Sequence, residues 1–290
     1  MFIRKSVTLV LFGCSHSKTS RAMSTCASKA TSEYDSHGSL NLWAERWSKN
    51  NLGWHINEPH PALVKYLPTL LPQHETDGRK KSIFVPLCGK TVDMAYLAEH
   101  PNVEHVVGVE GIQKAIEEFG QENPKLNIYR SEDQQNNEKF DVYVGNSITL
   151  LKGNFFNFDL QSVPTQVSGQ KFDVVWDRAS IIAIDPRLRR DYVDTIKRII
   201  KPGGIILLCT IDRRSGNADA MAAGPPFSVN ESTVRELYEH EPWVEKVVFL
   251  GETDLMSTER DKWTKSGLIS VFEAYFIIQT LSADSQFDIQ

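Results

Sequence analysis

Cysteine is scarce in this chain: four in 290 residues, at Cys14, Cys26, Cys88 and Cys209. They show neither a CxxC pair nor a Cys/His ligand spacing. That argues against a disulfide framework or a zinc site and for reduced thiols. The eight histidines contain no HExxH pattern, so no metal is expected. No apolar run approaches the ~20 residues of a membrane-spanning helix. No basic run is long, and the net charge is −5, which disfavours DNA or RNA as a partner. The glycine fingerprint GxGxxG of nicotinamide enzymes is missing, and no internal repeat is visible. What the chain does have is 41% hydrophobic residues, ample for a large core. About 230–250 residues would make a single α/β domain with a tail.

The first 40 residues stand apart. They are rich in Ser and Thr, their first acid is Glu33, and Arg4, Lys5, Lys18, Arg21 and Lys29 are basic. Residues 1–40 read as a disordered or targeting extension. A plain extension is the first reading, with Met23 as an alternative start. A mitochondrial presequence is the second, and a short secretory segment at Val7 to Phe12 is the last. Residues 41–281 then form the folded unit, and 282–290 a C-terminal tail.

The most informative stretch is Ile83-Phe84-Val85-Pro86-Leu87-Cys88-Gly89-Lys90-Thr91-Val92-Asp93-Met94. Its first half is a short β-branched apolar run, a buried strand. Pro86 and Gly89 break it. Val92, Met94-Ala95 and Leu97-Ala98 then follow helix spacing. A second strand, Val103 to Val109, ends in Glu110, about 20 positions beyond Gly89, where a carboxylate suits a ribose hydroxyl pair. An ordinary turn and an exposed acid would read the same way, so this pair alone leaves a nucleotide site open.

Elsewhere, Trp43 and Trp47 fall on one helix face at i,i+4, with Gly53-Trp54 close behind. The face either packs on the sheet or folds over a ligand, and Trp rings attract cations. Asn57 to Leu71 reads as a helix. Pro124 to Glu138 reads as an exposed insertion and Asp141 to Val144 as the third strand. Asn154 beside Phe155, Phe156 and Phe158 could flank an adenine ring, although at least two of the phenylalanines suit the core better. Phe172 to Arg178 is a fourth strand. Its polar end points Asp177 and Arg178 toward the ligand edge of an α/β sheet, where they form a structural ion pair or part of a site, or one holds the site while the other reaches in. Arg187 to Ile200 reads as a helix closed by Lys201-Pro202-Gly203-Gly204. Ile205 to Ile211 is a continuously apolar fifth strand. Gly224-Pro225-Pro226-Phe227 forms a rigid loop before a helix from Asn230 to His240. Val244 to Leu250 and Leu268 to Gln279 are two further strands, joined through a charged loop from Thr258 to Trp263.

Together these segments resemble the thiopurine S-methyltransferase family, within the class I S-adenosylmethionine-dependent methyltransferases. The resemblance rests on Trp43-x-x-x-Trp47, Phe84-Val85-Pro86-Leu87-Cys88-Gly89-Lys90, Val107-Gly108-Val109-Glu110, Phe172-Asp173-Val174-Val175-Trp176-Asp177-Arg178-Ala179, Gly224-Pro225-Pro226-Phe227 and Glu259-Arg260. It implies a Rossmann-like α/β fold, with a seven-stranded, mostly parallel sheet in the order 3-2-1-4-5-7-6 and helices on both faces. The implied cofactor is S-adenosyl-L-methionine. Trp43, Trp47 and Trp54 would cover it, Leu87 and Gly89 would contact its methionine end, Glu110 its ribose, and Asn154 and Phe155 its adenine. Arg178 would sit between cofactor and acceptor. Trp54, Phe227 and Arg260 would line the acceptor side, and Arg178 and Arg260 would be catalytic. The Pro124 to Glu138 stretch and the loop after Arg260 look unlike those of the familiar animal enzymes.

The resemblance implies methyl transfer to a small aromatic or heterocyclic thiol by a monomer without metal, nucleic acid or membrane partners. A cytoplasmic site follows, with the extension leaving a mitochondrial address open. Two alternatives stand beside it: a methyltransferase of the same fold acting on small inorganic thiols or halides, and a catalytically idle cofactor-binding protein.

Overall fold

The computed structural model describes residues 40–72, 78–132, 139–163 and 169–283. The expectations for residues 1–39 and for the tail after Thr280 fall largely outside them, as does part of the Pro124 to Glu138 stretch. Nine strands form one sheet in the order β3-β4-β5-β2-β1-β6-β7-β9-β8. They are β1 (Lys81–Val85), β2 (Val103–Glu110), β3 (Tyr129–Arg130), β4 (Phe140–Gly145), β5 (Ile148–Gly153), β6 (Phe172–Arg178), β7 (Ile200–Arg214), β8 (Val244–Asp254) and β9 (Ser270–Thr280). β5, β2, β1, β6 and β7 run parallel. β9 is antiparallel to both β7 and β8.

The helices are α1 (40–48), α2 (Pro61–Leu70), α3 (Val92–Ala98), α4 (Gln113–Glu122), α5 (Arg189–Ile199), α6 (Ala218–Ala222), α7 (Glu231–Tyr238) and α8 (Met256–Lys265). Two apolar clusters lie on the two faces of the sheet. One joins α2, α3 and α4 to Ile83, Val106, Leu150, Trp176 and Leu207. The other joins α5 and α7 to Phe84, Val107, Val175, Ile206 and Phe276. Consecutive residues of each central strand feed opposite clusters, so these strands are apolar without alternation. Among the described residues, no helix is long and apolar enough to cross a membrane.

Three expectations are corrected. The third parallel strand is Ile148–Gly153; Phe140–Gly145 is an antiparallel neighbour outside it. The two are joined by a hairpin through Asn146 and Ser147, with Ser147 at φ 56°. The hairpin and β3 add two strands at one edge of the seven expected, whose order is otherwise kept. The charged loop from Thr258 to Trp263 is helical, part of α8. It turns Met256 and Trp263 inward while its charges stay in water, and it kinks at Glu259. Finally, β7 begins at Ile200, so Lys201-Pro202-Gly203-Gly204 lies within a long strand and not in a helix cap.

Candidate active site

The carboxyl ends of β1, β2 and β6 converge on one edge of the sheet, the edge where α/β folds bind ligands. After β1 the chain turns through Leu87 at φ 41° and Gly89 at φ 55°. A side chain at position 89 would be strained, and its Cβ would lie 3.6 Å from the Trp47 ring. Gly89 donates its N–H to Oε2 of Glu110 at 2.7 Å, and Ile112 donates to Oε1 at 2.8 Å. Glu110 is buried. Burial pushes its carboxyl up, and the amides of Ile112, Gly89 and Gly111 pull against that shift. The three elements thus make a cradle: a bare backbone turn, a fixed carboxylate and an indole above.

The indole belongs to a cap formed by α1 and the segment to Trp54. Trp43 and Trp54 meet edge to face at 4.9 Å, and Trp47 and Trp54 at 6.3 Å. Cations fasten this cap through its backbone. Lys114 of α4 donates to the Trp47 carbonyl at 3.0 Å and to Oδ1 of Asn50 at 2.7 Å. Arg178 donates from Nη1 to the Trp54 carbonyl at 2.9 Å. The Lys262 ammonium of α8 lies 3.4 Å from the Gly53 carbonyl. Arg46, whose guanidinium lies over the Trp43 ring at 5.0 Å, donates to the Pro225 carbonyl. The cap therefore touches both the turn after β1 and the Gly224–Phe227 loop.

Asp177 and Arg178 do not pair. Alternation along β6 sends them to opposite faces. Asp177 is fully buried on the α5 side, where the Tyr192 hydroxyl donates to it at 2.6 Å. Burial raises its carboxyl to about 6, against the lowering effect of the Tyr192 bond. Arg178 alone turns toward the cap. Phe155 is also core: it is 2% exposed and stacks on Tyr192 at 4.9 Å. Its partner Asn154 is half-buried and accepts from the Phe156 N–H at 3.1 Å. Phe227 is half-buried against Gly224, and its N–H donates to the Ile182 carbonyl. Arg260 is exposed on α8, and Lys262, not Arg260, is the cation of that helix that reaches the cap.

Two supporting groups were missed in the sequence. Arg213, 4% exposed, donates to the carbonyls of Ala220, Ala223 and Pro226. It holds the Pro-Pro loop from beneath, and only its place at the end of a strand before that loop hinted at such a role. Asp93, fully buried, accepts from the His60 N–H at 2.7 Å, the Trp176 indole at 2.9 Å and the Thr91 hydroxyl at 3.0 Å. It ties the start of α2 to α3 and β6. The Thr91-x-Asp93 spacing, which caps α3, was its visible signal.

The family model "Thiopurine S-methyltransferase" matches residues 39–280. The thiopurine S-methyltransferase of Vibrio atlanticus is 32% identical over 239 residues, covering 82% of this chain and 97% of that protein. That of Nitrosospira multiformis is 34% identical over 244 residues, covering 83% and 98%. Among solved structures, an N-methyltransferase of Bradyrhizobium japonicum in complex with S-adenosyl-L-homocysteine superposes with TM-score 0.50 at 13% identity, over 85% of this chain and 98% of that one. That likeness concerns the fold. The sequence relationship reaches further, because it spans the cap, the Glu110 cradle and the strand bearing Arg178 at once: the chain is a methyltransferase and belongs to the thiopurine S-methyltransferase family.

Proposed function

We propose that the protein transfers a methyl group from S-adenosylmethionine to a small aromatic or heterocyclic thiol, and that residues 41–281 form the unit that does so. When bound, the cofactor supplies a methyl group already activated on a sulfonium. The cradle fits it. Glu110 is a fixed carboxylate for the ribose, the turn at Leu87 and Gly89 bears no side chain at Gly89, and the indoles of the cap are rings that attract a cation. Asn154 stands on the adenine side, with Phe155 supporting it from the core.

The observation that carries the thiol reading is Arg178. Its guanidinium ends β6, faces away from the buried Asp177 and reaches under the cap to the Trp54 carbonyl. A cation there lowers the pKa of an incoming thiol and holds the thiolate. The protein's remaining work is to orient the sulfur in line with the methyl group and to exclude water. Trp54 and Phe227 would clasp a flat ring, with Arg260 at the outer rim. These aromatic walls favour a ring-bearing acceptor over small inorganic thiols or halides.

The test is a panel of aromatic, heterocyclic, alkyl and small inorganic acceptors with methyl-labelled S-adenosylmethionine. The expected result is label on aromatic or heterocyclic sulfur at the highest kcat/KM. Label mainly on inorganic acceptors, or cofactor binding without transfer to any acceptor, overturns this reading.

A further inference from the structure

Methylation of a neutral thiol releases a proton, and Arg178 cannot take it. From the structure we infer that His55 does: it is the proton acceptor for the acceptor thiol, carried on the cap and delivered to the site beside Arg178. The inference rests on the thiol reading above.

Position comes first. His55 directly follows Trp54, whose carbonyl is the one bound by Arg178 at 2.9 Å. The amide that Arg178 grips is thus the one that joins Trp54 to His55. The backbone at His55 is fixed by a turn in which its N–H donates to the Leu52 carbonyl at 2.8 Å. The charged groups whose fields reach the imidazole are Lys90 of the turn after β1, Glu122 and Glu118 of α4, and Arg178 of β6. The imidazole is thus within electrostatic reach of both the turn after β1 and Arg178.

Availability comes second. The other histidines near the sheet are committed. His60 accepts from the Ala62 N–H through Nδ1, and its Nε2 faces Glu273 at 3.2 Å. His105 meets the Thr149 hydroxyl at 2.9 Å, and His100 accepts from the Asn102 N–H. The half-buried His55 imidazole makes no hydrogen bond or ion pair with any described residue, so both of its nitrogens are free to meet a ligand.

Protonation state agrees. Burial lowers the basicity of His55, and Lys90 and Arg178 lower it further, while Glu122 and Glu118 oppose. Lys90 is itself paired with both glutamates, at 2.9 and 2.6 Å, so their fields largely cancel. The ring is neutral at pH 7 and can receive a proton.

The step balances as follows. The acceptor S–H bond breaks and its proton passes to an imidazole nitrogen. The sulfur lone pair forms the new S–CH3 bond, and the pair of the breaking sulfonium C–S bond stays on the departing sulfur. Gly53 and Asn57, on either side of the Trp54–Ile56 segment, are exposed. The imidazolium can therefore lose its proton to water.

The experiment uses full-length His55→Gln and His55→Phe. Methyl transfer is followed across pH with one thiol ionised at neutral pH and one that is not, and cofactor affinity is measured by calorimetry. For the neutral thiol, both variants should lose on the order of 10²–10³-fold in kcat/KM and their acidic limb, while the ionised thiol loses only a few-fold. A second readout needs no turnover. In histidine-labelled protein with S-adenosylhomocysteine, adding the neutral thiol should shift the His55 ring-nitrogen signals in NMR as one nitrogen accepts the S–H hydrogen bond. Equal losses for both thiols, an unchanged limb, or ring signals that do not move in that complex overturn the role of His55 while leaving thiol methylation intact. A wild-type enzyme that methylates no thiol overturns both.

Discussion

Arg178 and Trp54 are 124 residues apart in the chain and 2.9 Å apart in space, guanidinium to carbonyl. In the proposed function, the group that latches the cap is also the group that meets the acceptor sulfur, so thiolate binding and the hold on the cap draw on the same cation. Arg178→Lys keeps the charge but loses the planar fork that can serve two acceptors at once. For an acceptor already ionised at neutral pH, the variant should be mild and act mainly on apparent affinity. For a less acidic thiol the loss should be larger, with the rate-versus-pH curve moved to higher pH, because thiolate formation is what the cation favours. Steady-state kinetics across pH with both acceptors checks this. Equal losses with no displacement would leave Arg178 as a cap latch alone.

Glu110 accepts two backbone N–H bonds within the β1 and β2 turns, so it shapes the cradle, and in the proposed function its carboxylate meets the ribose. Glu110→Ala should weaken S-adenosylmethionine binding by about 1.5–3 kcal/mol, the range for hydrogen bonds to a charged group. Calorimetry on the folded variant measures it. Unchanged affinity would remove Glu110 from the cofactor site.

The buried Arg213 supports the acceptor-side loop through three carbonyls. Arg213→Met removes those donors and leaves the carbonyls without a partner, at a cost of about 2–4 kcal/mol. In a domain of this size that corresponds to a Tm lower by roughly 5–15 °C. Its kinetic mark should be a raised KM for the acceptor with little change in cofactor affinity, since the cradle lies on the other side of Arg178. Thermal unfolding and paired titrations separate the two effects.

Much of this architecture was legible because central parallel strands carry a simple signal. Ile83 to Val85, Val106 to Val109 and Val174 to Trp176 are apolar on both faces. The edges were harder. Asp141 to Val144 and Ile148 to Leu151 are both short β-formers, and nothing local states which one pairs with β2; the tight turn at Asn146 and Ser147 decides it. The helix α8 was hidden by its charges, because its inward positions reduce to Met256 and Trp263. The sequence placed Glu110 and Arg178 at strand ends, and the structure puts them there. Arg213 and Asp93 act through carbonyls and amides brought from distant segments, and no sequence spacing encodes such partners. Asp177 showed the opposite failure: adjacent to Arg178 in sequence, it was expected at the same edge, and strand alternation sends it into the core.

That buried Asp177 gives the fold a pH dependence of definite sign. Its carboxyl is raised to about 6 by burial in the folded state, against about 3.9 in an unfolded chain. Between those values the folded state holds a proton that the unfolded state has released. Stability contributed by the protonated form is therefore full below about pH 4 and is lost as pH rises through about 6. A gap of about two units corresponds to something on the order of 2–3 kcal/mol across the window. Asp177→Asn removes the titration while keeping an oxygen that can accept from the Tyr192 hydroxyl. The variant should be the less stable protein, or an equal one, near pH 4, and should gain on the wild type as pH rises to 7. Denaturant unfolding of both proteins at pH 4, 5, 6 and 7 gives the difference directly. A stability difference that stays constant over that range, or that moves in favour of the wild type at higher pH, would mean that Asp177 is ionised throughout and held by its hydrogen bonds instead.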